Sequence, residues 1–346
     1  MKHQTTRYGE IPFYKIGTFG NTADAFISKK LFLEYKTKYS FPKKGDILIS
    51  ASGTIGRAVI YDGKPAYFQD SNIVWIDNDE TLVKNDFLFY AYSHVKWNTE
   101  HTTILRLYND NFRNTLIPLP PLNEQSAIAN ILSDLDRYLC ALDALILKKE
   151  GVKKALSFEL LSQRKHLKGF NQAWQRVRLG DIANYLTSNL SVEQITQQGK
   201  IKVYDVNNFI GYTDTTFISD KPYISIIKDG SVGRVRILPP KTNILSTMGA
   251  LIANHRTTTE FLFYLLSNFD FKNFTSGSII PHIYFKDYKE KTIFLPPLNE
   301  QSAIANILSD LDHEIISLKN KKRQFENIKK ALNHDLMSAK IRVLEK

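Results

Sequence analysis

The sequence predicts an α+β protein in which two similar α/β domains each lead into a long amphipathic helix. The first observation behind this prediction is an internal repeat: LPPLNEQSAIANILSDLD occupies 119–136 and again 295–312, 176 positions later. Eighteen identical positions in succession indicate a tandem duplication of one unit of about 175 residues. The second observation is the apolar stripe that follows each copy and predicts the two helices.

Each copy of the repeat predicts a strand or loop that ends at two prolines and is followed by the start of a helix. Prolines are excluded from helix interiors but are tolerated just before a helix. After them, Asn123 offers a side-chain oxygen to the first free amides, and Glu124 brings negative charge to the first turn. The second helix begins in the same way after Asn299.

The predicted helices run from 123 to about 166 and from 299 towards the end of the chain. In the second helix, apolar residues keep a spacing of three and four for more than four heptads, which indicates a coiled coil roughly 65 Å long. Because both helices carry the same stripe, we expect them to pack together; the alternative is that each covers only its own domain. The residues predicted to pack this spacer are Leu132, Leu135, Leu139, Leu142, Leu308, Leu311, Ile315 and Leu318.

The segments ahead of the two helices predict mixed domains. In the first, IPFYKIG, GDILISAS, RAVIYDG and NIVWID predict strands and NDFLFYAYSHVKW predicts a helix. In the second, IKVYDV, RVRILPP and NILSTMGALI predict strands and EFLFYLLSNF predicts a helix. The duplication extends into both domains, since SGTIGRAVI matches DGSVGRVRI. At the front, GEIPFY aligns with GKIKVY, and the second domain has some 25 residues from Trp174 onward that the first lacks.

Composition favours a polyanionic partner. The 346 residues carry a formal net charge of +11, which favours nucleic acid, although lysine-rich helices that only confer solubility are the alternative. The single cysteine, Cys140, excludes an internal disulfide and a cysteine-based zinc cluster, and it suits a reducing cytoplasm. The N-terminus has no apolar core of a signal peptide, and no apolar run is long enough to span a membrane.

The sequence carries no recognisable catalytic motif: phosphate loops, dinucleotide-binding glycine patterns, HExxH and GxSxG are all absent. The histidines lack metal-ligand spacing, and no pair of carboxylates stands out, so we expect neither a catalytic nor a metal site. The two GxxG segments predict tight turns between strands rather than phosphate cradles, with Arg57 and Arg234 beside them.

A binding protein with two similar modules on a spacer can contact two half-sites on one DNA duplex. Lysine and arginine contacts to phosphates would supply affinity, and polar or aromatic loop residues would read bases. The alternative is that the Ile and Tyr positions of these segments belong to ordinary core strands. The candidate DNA-binding residues are Arg57, Thr103, Arg106, Tyr108, Arg234, Ser278, His282, Tyr284 and Lys286.

These features together resemble the specificity subunit, HsdS, of type I restriction–modification systems. The resemblance is carried by LPPLNEQ followed by a long helix, occurring twice, and by WQRVRLGDIA, GTIGR, GSVGR and GSIIPHIYFKDY. It covers nearly every residue after Gly9.

The resemblance implies two target recognition domains, 1–118 and 169–294, and two spacer helices, 119–168 and 295–346, packed antiparallel with pseudo-twofold symmetry. Each recognition domain would bind one half of a bipartite double-stranded DNA target. Two modification subunits would dock on the chain, and restriction subunits would complete the complex. The cofactors S-adenosylmethionine, ATP and Mg would then belong to those partner subunits, and none to this chain.

Three alternatives stay open at this point. A related type II specificity subunit would differ only in its partners, a coiled-coil scaffold would bind proteins instead of DNA, and a DNA-processing enzyme would need an unrecognised active site. The sequence departs from the family at the front, because members usually begin the first domain with a segment like WQRVRLGDIANYLTSN. We therefore expect a competent second recognition domain and an impaired first one.

Overall fold

The computed structural model describes residues 4–68, 72–97 and 105–344. The chain divides into two compact units. Unit 1 comprises Met1–Asp143 and Asn320–Lys346, and unit 2 comprises Ala144–Lys319. Each unit therefore contains one mixed domain together with a part of both long helices.

Unit 1 contains two small sheets and the helices that cover them. Its sheets have the strand orders β2-β1-β5 and β4-β3-β6, and β1 pairs with β2 antiparallel and with β5 in parallel. The elements are β1 (Ile11–Tyr14), β2 (Ala25–Ile27), α1 (Lys29–Lys38), β3 (Ile47–Ser50), β4 (Ala58–Ile60), β5 (Tyr67–Phe68), β6 (Ile73–Trp75), α2 (Asn85–His94), α3 (Asn109–Arg113) and α4 (Leu122–Leu161), the last shared with unit 2.

Unit 2 repeats this plan with additional strands. Its elements are β7 (Gln175–Arg178), β8 (Ala183–Thr187), β9 (Ile201–Tyr204), β10 (Phe209–Thr213), β11 (Tyr223–Ile227), β12 (Val235–Leu238), β13 (Thr242–Ile244), β14 (Met248–Ala253), α5 (Thr259–Ser267), β15 (Thr275–Ser276), β16 (His282–Ile283), α6 (Phe285–Tyr288), β17 (Thr292–Leu295) and α7 (Leu298–Met337). The sheets have the orders β10-β9-β13, β12-β11-β14-β8, β17-β7 and β15-β16.

The two units correspond strand by strand in two sheets. Sheet β2-β1-β5 corresponds to β10-β9-β13, and β4-β3-β6 corresponds to the first three strands of β12-β11-β14-β8. Strands β7 and β8 have no counterpart among the described residues of unit 1. They lie in the segment from Trp174 onward that distinguishes the two copies in the sequence.

The long helices pack against each other and run antiparallel within each unit. In unit 1, Lys329 pairs with Asp136 and Lys322 pairs with Asp143. Residue numbers therefore increase along α4 in the direction in which they decrease along α7. In unit 2, Lys153 pairs with Asp312. The predicted α+β architecture, with two similar domains and two packed helices, is confirmed. All eight predicted spacer residues are buried or half-buried.

Matching polar clusters join each domain to both long helices. In unit 1, the Tyr90 hydroxyl donates to Asp136 Oδ2 at 2.9 Å. The Lys329 ammonium pairs with the same carboxylate and lies 5.6 Å from the centre of the Tyr90 ring. Burial and the neighbouring carboxylate raise the pKa of Tyr90, so this phenol stays neutral and donates. In unit 2 the same cluster consists of Tyr264, Asp312 and Lys153.

Most of the predicted elements are present in the structure, which also contains short elements that the sequence did not predict, and helix α4 ends at Leu161 rather than near 166. Helix α4 begins at Leu122, one residue earlier than expected, and the Asn123 side chain accepts from the Glu124 amide. The segment NILSTMGALI forms two strands, β13 and β14, rather than one. Helix α1 was not predicted, although Ser28 caps it by accepting from the Leu31 amide at 3.2 Å.

Candidate nucleic-acid interface

The GTIGR segment of unit 1 forms a tight turn between β3 and β4. Gly53 and Gly56 have φ values of +66° and +80°, which side chains other than glycine rarely adopt. A Cβ atom on Gly56 would lie 2.3 Å from the Trp97 indole nitrogen, so the backbone packs directly on that ring. Glycine is therefore required at both positions, and Arg57 directly follows the turn.

A second segment, 105–108, lies against this turn. Arg106 forms a β-bridge with Ser52, and the Leu107 amide donates to the Ala51 carbonyl at 2.8 Å. Leu107 is buried and anchors the segment, whereas Tyr108 is 43% exposed. The Arg106 guanidinium lies 5.8 Å from the centre of the Tyr108 ring. A half-buried cation and an exposed aromatic ring thus lie side by side.

Unit 2 has the same arrangement with different side chains. His282 forms the β-bridge with Asp229, and its Nδ1 lies 2.6 Å from Asp229 Oδ1. The Tyr284 ring is stacked on the His282 ring at 6.5 Å, and the Lys286 ammonium lies 5.5 Å from the Tyr284 ring centre. Ser278 is exposed in the preceding loop.

The buried Tyr288 packs beneath the exposed side chains of Tyr284 and Lys286. Tyr288, at the end of α6, is 1% exposed and packs edge-on against Phe271 with ring centres 5.3 Å apart. Burial raises the pKa of Tyr288, so the phenol stays neutral. Because Tyr288 fixes α6 to the core, Tyr284 and Lys286 are held on the solvent side of the helix start.

The arginine beside each glycine turn contacts a loop of the neighbouring sheet. In unit 1, Arg57 Nη1 donates to the Phe19 carbonyl at 2.9 Å. In unit 2, Arg234 Nη2 donates to Asn207 Oδ1 at 3.0 Å, and Arg236 Nη1 donates to the Asn207 carbonyl at 2.9 Å. Asn207 and Arg236 cannot be singled out from the sequence, because they are 29 positions apart and only the fold brings them together.

The structure therefore places most of the predicted residues on adjoining segments within each unit. Arg57, Arg106 and Tyr108 belong to adjoining segments in unit 1, and Thr103 lies outside the described residues. Arg234, His282, Tyr284 and Lys286 belong to adjoining segments in unit 2. Cationic and aromatic side chains are among the types that proteins use to contact phosphates and base edges.

Within 4–68, 72–97 and 105–344, no group of three or more His, Cys, Asp or Glu side chains could hold a metal ion. In the same ranges, no helix is both long and apolar enough to cross a bilayer.

Two similar α/β domains, each leading into one of two long helices that pack together, define a duplicated fold without a described metal cluster. The family model of the type I restriction modification DNA specificity domain matches 1–149 and 171–327. The chain belongs to the family of type I restriction–modification specificity subunits, in which it is the non-catalytic subunit.

The individual relatives agree with this assignment. A protein of Haemophilus influenzae named as a type I restriction enzyme specificity subunit is 63% identical over 137 residues, which cover 39% of this chain and only 36% of that relative. The MjaVIII specificity subunit of Methanocaldococcus jannaschii is 25% identical, covering 92% of this chain and 84% of its own length. The crystal structure of a type I S subunit from M. genitalium has the same fold, with a TM-score of 0.65 at 20% identity, covering 97% of this chain and 91% of that one.

Proposed function

We propose that this chain selects a bipartite double-stranded DNA target, with one half bound by each recognition domain, 1–118 and 169–294. The spacer helices, 119–168 and 295–346, would hold the two domains at the distance between the half-sites. The observation that carries the proposal is the duplicated group beside the glycine turns. Arg106 with Tyr108 and His282 with Tyr284 take the same places on the same backbone bridges.

The differences between the two groups suggest different half-sites. The bridge position carries Arg106 in unit 1 and His282 in unit 2. An arginine can donate two hydrogen bonds to guanine, whereas a histidine held by Asp229 has at most one ring nitrogen free for a base. The two domains would therefore read different sequences, which makes the whole target asymmetric.

The partners would dock on the duplicated repeat. The identical sequence gives both helices the same exposed side chains near their starts, with Leu122 39% and Leu298 48% exposed. Two equal surfaces suit two copies of a modification subunit, and restriction subunits would join the assembled complex. S-adenosylmethionine, ATP and Mg would be held by those partners, in the cytoplasm.

The test of base reading uses the chain assembled with its modification subunit and the target found by mapping methylated adenines. We expect Tyr284→Ala with Lys286→Ala to weaken binding about tenfold or more, and only through the half-site of the second domain. Lys221→Ala is the matched control, since this exposed lysine precedes β11, at the opposite end of that strand from the glycine turn. Equal losses for the variant and the control, or losses at both half-sites, would contradict the proposal.

The spacer role is tested by Leu135→Asp combined with Leu311→Asp. Burying unpaired carboxylates in the helix seam costs several kcal/mol, so we expect loss of the cooperative thermal transition and of assembly with the partner. Leu147→Asp with Ile316→Asp is the control for folding, because Leu147 is 72% and Ile316 is 54% exposed on the same helices. A seam variant that assembles normally but prefers another DNA sequence would refute a spacer role.

A further inference from the structure

Two arginines of unit 2 hold the turn between β9 and β10 against β12. Arg234 Nη2 donates to Asn207 Oδ1 at 3.0 Å, and Arg236 Nη1 donates to the Asn207 carbonyl at 2.9 Å. The Asp205 carboxylate fixes the turn itself by accepting from the amides of Asn207 and Asn208. Both arginines are nevertheless exposed. Because a guanidinium has five N–H donors and each arginine uses one of them on Asn207, donors remain for a ligand.

Aromatic rings extend this arrangement along the hairpin of β9 and β10. The Arg236 guanidinium lies 5.3 Å from the centre of the Tyr204 ring, and Tyr204 packs edge-on against Phe209 with ring centres 6.0 Å apart. The Lys202 ammonium lies 6.0 Å from the centre of the Phe209 ring. Phe209 is 43% exposed, and Lys202 is exposed as well. Arg234, Arg236 and Lys202 thus form one row of exposed cations, the cationic row, which starts directly after the glycine turn.

The cationic row has no acidic partner within the part of the chain that the structure describes. The salt bridges of unit 2 involve other cations, among them Arg178, which pairs with Asp181 and with Glu290. The acid that lies closest in the sequence, Asp205, uses its carboxylate on backbone amides. Three positive charges without acidic partners, with aromatic rings between them, fit a polyanion.

Unit 1 has the same strands but not the same charges. The alignments of GEIPFY with GKIKVY and of SGTIGRAVI with DGSVGRVRI place Pro12 at the position of Lys202 and Val59 at the position of Arg236. The one cation that is retained, Arg57, is half-buried. The two units therefore present similar backbones with different charges on this face.

We propose that the cationic row binds the phosphate backbone of duplex DNA beside the half-site of the second recognition domain, and that unit 1 has no equal surface. The inference rests on the proposed selection of DNA and adds a second role within unit 2. Under that proposal His282, Tyr284 and Lys286 contact base edges. The cationic row supplies affinity that does not depend on the base sequence.

The occupant is DNA rather than an acidic protein because the cationic row is continuous with the candidate base-reading group. Arg234 directly follows the glycine turn, and Asp229 at the start of that turn forms the β-bridge with His282. A duplex held by the base-reading group therefore extends its phosphates past the turn, where the row offers three cations. A phosphate backbone also suits a row of point charges, because it repeats a negative charge at regular intervals.

The experiment measures the salt dependence of DNA binding by the chain assembled with its modification subunit. Two duplexes of equal length are compared between about 0.05 and 0.3 M NaCl, one carrying the target found by mapping methylated adenines and the other a scrambled sequence. We expect Arg234→Gln with Arg236→Gln to lower the slope of log affinity against log salt by about two on both duplexes, since each phosphate contact contributes about 0.9. Lys202→Gln should lower it by about one.

Binding by the double glutamine variant should weaken about tenfold or more at about 0.15 M salt. The preference for the target over the scrambled duplex should stay the same, because phosphate contacts carry no base information.

Two controls separate charge from structure. Arg234→Lys with Arg236→Lys keeps both charges but loses the guanidinium bonds to Asn207, so this variant should keep the salt slope of the parent chain. Lys221→Gln removes an exposed charge just before β11, at the opposite end of that strand from the glycine turn, and should leave the slope unchanged.

An unchanged slope in the glutamine variants, or an equal loss in Lys221→Gln, would overturn the proposal. A lysine variant that loses as much slope as the glutamine variant would also overturn it, because the arginines would then only hold the turn between β9 and β10. Each of these slopes can be read on the scrambled duplex. They therefore decide the role of the cationic row even if the parent complex shows no preference for the target, which is the result that would contradict the proposed selection.

Discussion

Leu119 and Leu295 begin identical stretches of eighteen residues but have different surroundings. Leu295 is 4% exposed because β7 pairs with its strand and Trp174 packs in the same cluster. Leu119 is 55% exposed at an open edge. Later in the stretch the difference disappears, since Leu132 and Leu308 are both fully buried. Identical sequence therefore produces identical packing only where the surrounding elements are also duplicated.

The buried carboxylates of Glu124 and Glu300 receive hydrogen bonds from different donors in the two units. Glu300 is fully buried and accepts from the Trp174 indole at 2.9 Å, with His166 3.9 Å away. Glu124 instead pairs with Arg342, which is 48% exposed. A buried carboxylate requires hydrogen-bond donors, and in each unit these donors come from a different part of the chain.

The largest expected contrast is between Leu295→Ala and Leu119→Ala. Removing a buried leucine side chain costs about 2–5 kcal/mol, so Leu295→Ala should clearly destabilise unit 2. The same change at Leu119 should cost less than about 1 kcal/mol, because most of that side chain already contacts water. Urea unfolding followed by exchange of amides in each unit measures both values.

Ile316→Ala, at a position 54% exposed on α7, is the control for a loss of stability that any truncation of an apolar side chain would cause. Equal effects of the two leucine variants would mean that the edge 116–119 is covered in solution.

A smaller effect, equal in the two units, is expected from Tyr264→Phe and Tyr90→Phe. Each removes one hydrogen bond to an aspartate that keeps its lysine partner, which should cost roughly 1–2 kcal/mol. Thermal unfolding of the single and double variants measures these costs. Ser93→Ala is a nearby comparison in α2, since its hydroxyl only accepts from Asn333 and donates to its own helix.

Costs that differ by more than about 1 kcal/mol between the two tyrosines would show that the polar clusters are not energetically equivalent, despite their matching contacts.

The sequence predicts features that depend on local patterns, but not those that depend on residues far apart in the chain. The duplication, the two helices and the apolar stripe through Leu132 and Leu308 are local patterns, and periodicity reveals them directly. Arg234 and Asn207 are 27 positions apart, and Lys329 and Asp136 are 193 positions apart. No local sequence pattern predicts contacts between residues so far apart. The open edge at 116–119 was beyond prediction for a further reason: whether β17-like residues find a partner depends on a segment elsewhere in the chain.

The assignment of base-contacting residues is limited in a similar way. The glycine turns and the segments around Arg106 and His282 were identifiable as candidates, and the structure shows that they adjoin. Which atoms face a base depends on loop geometry that pattern and composition do not encode.

The smallest effect concerns pH and separates the two glutamates. Hydrogen bonds from Arg342 hold the pKa of Glu124 below its usual range, so the folded chain favours the charged carboxylate. This contribution to stability is complete above the ordinary glutamate pKa and is lost as pH falls through the lowered value. Arg342→Gln should therefore flatten the loss of unit 1 stability between about pH 6 and pH 3.5. Urea midpoints measured across that range, with Lys340→Gln as the control for the exposed pair with Asp335, provide the comparison. If the Arg342 variant kept the full slope, the pair with Glu124 would not contribute to folding, and the two units would hold their glutamates by unrelated means.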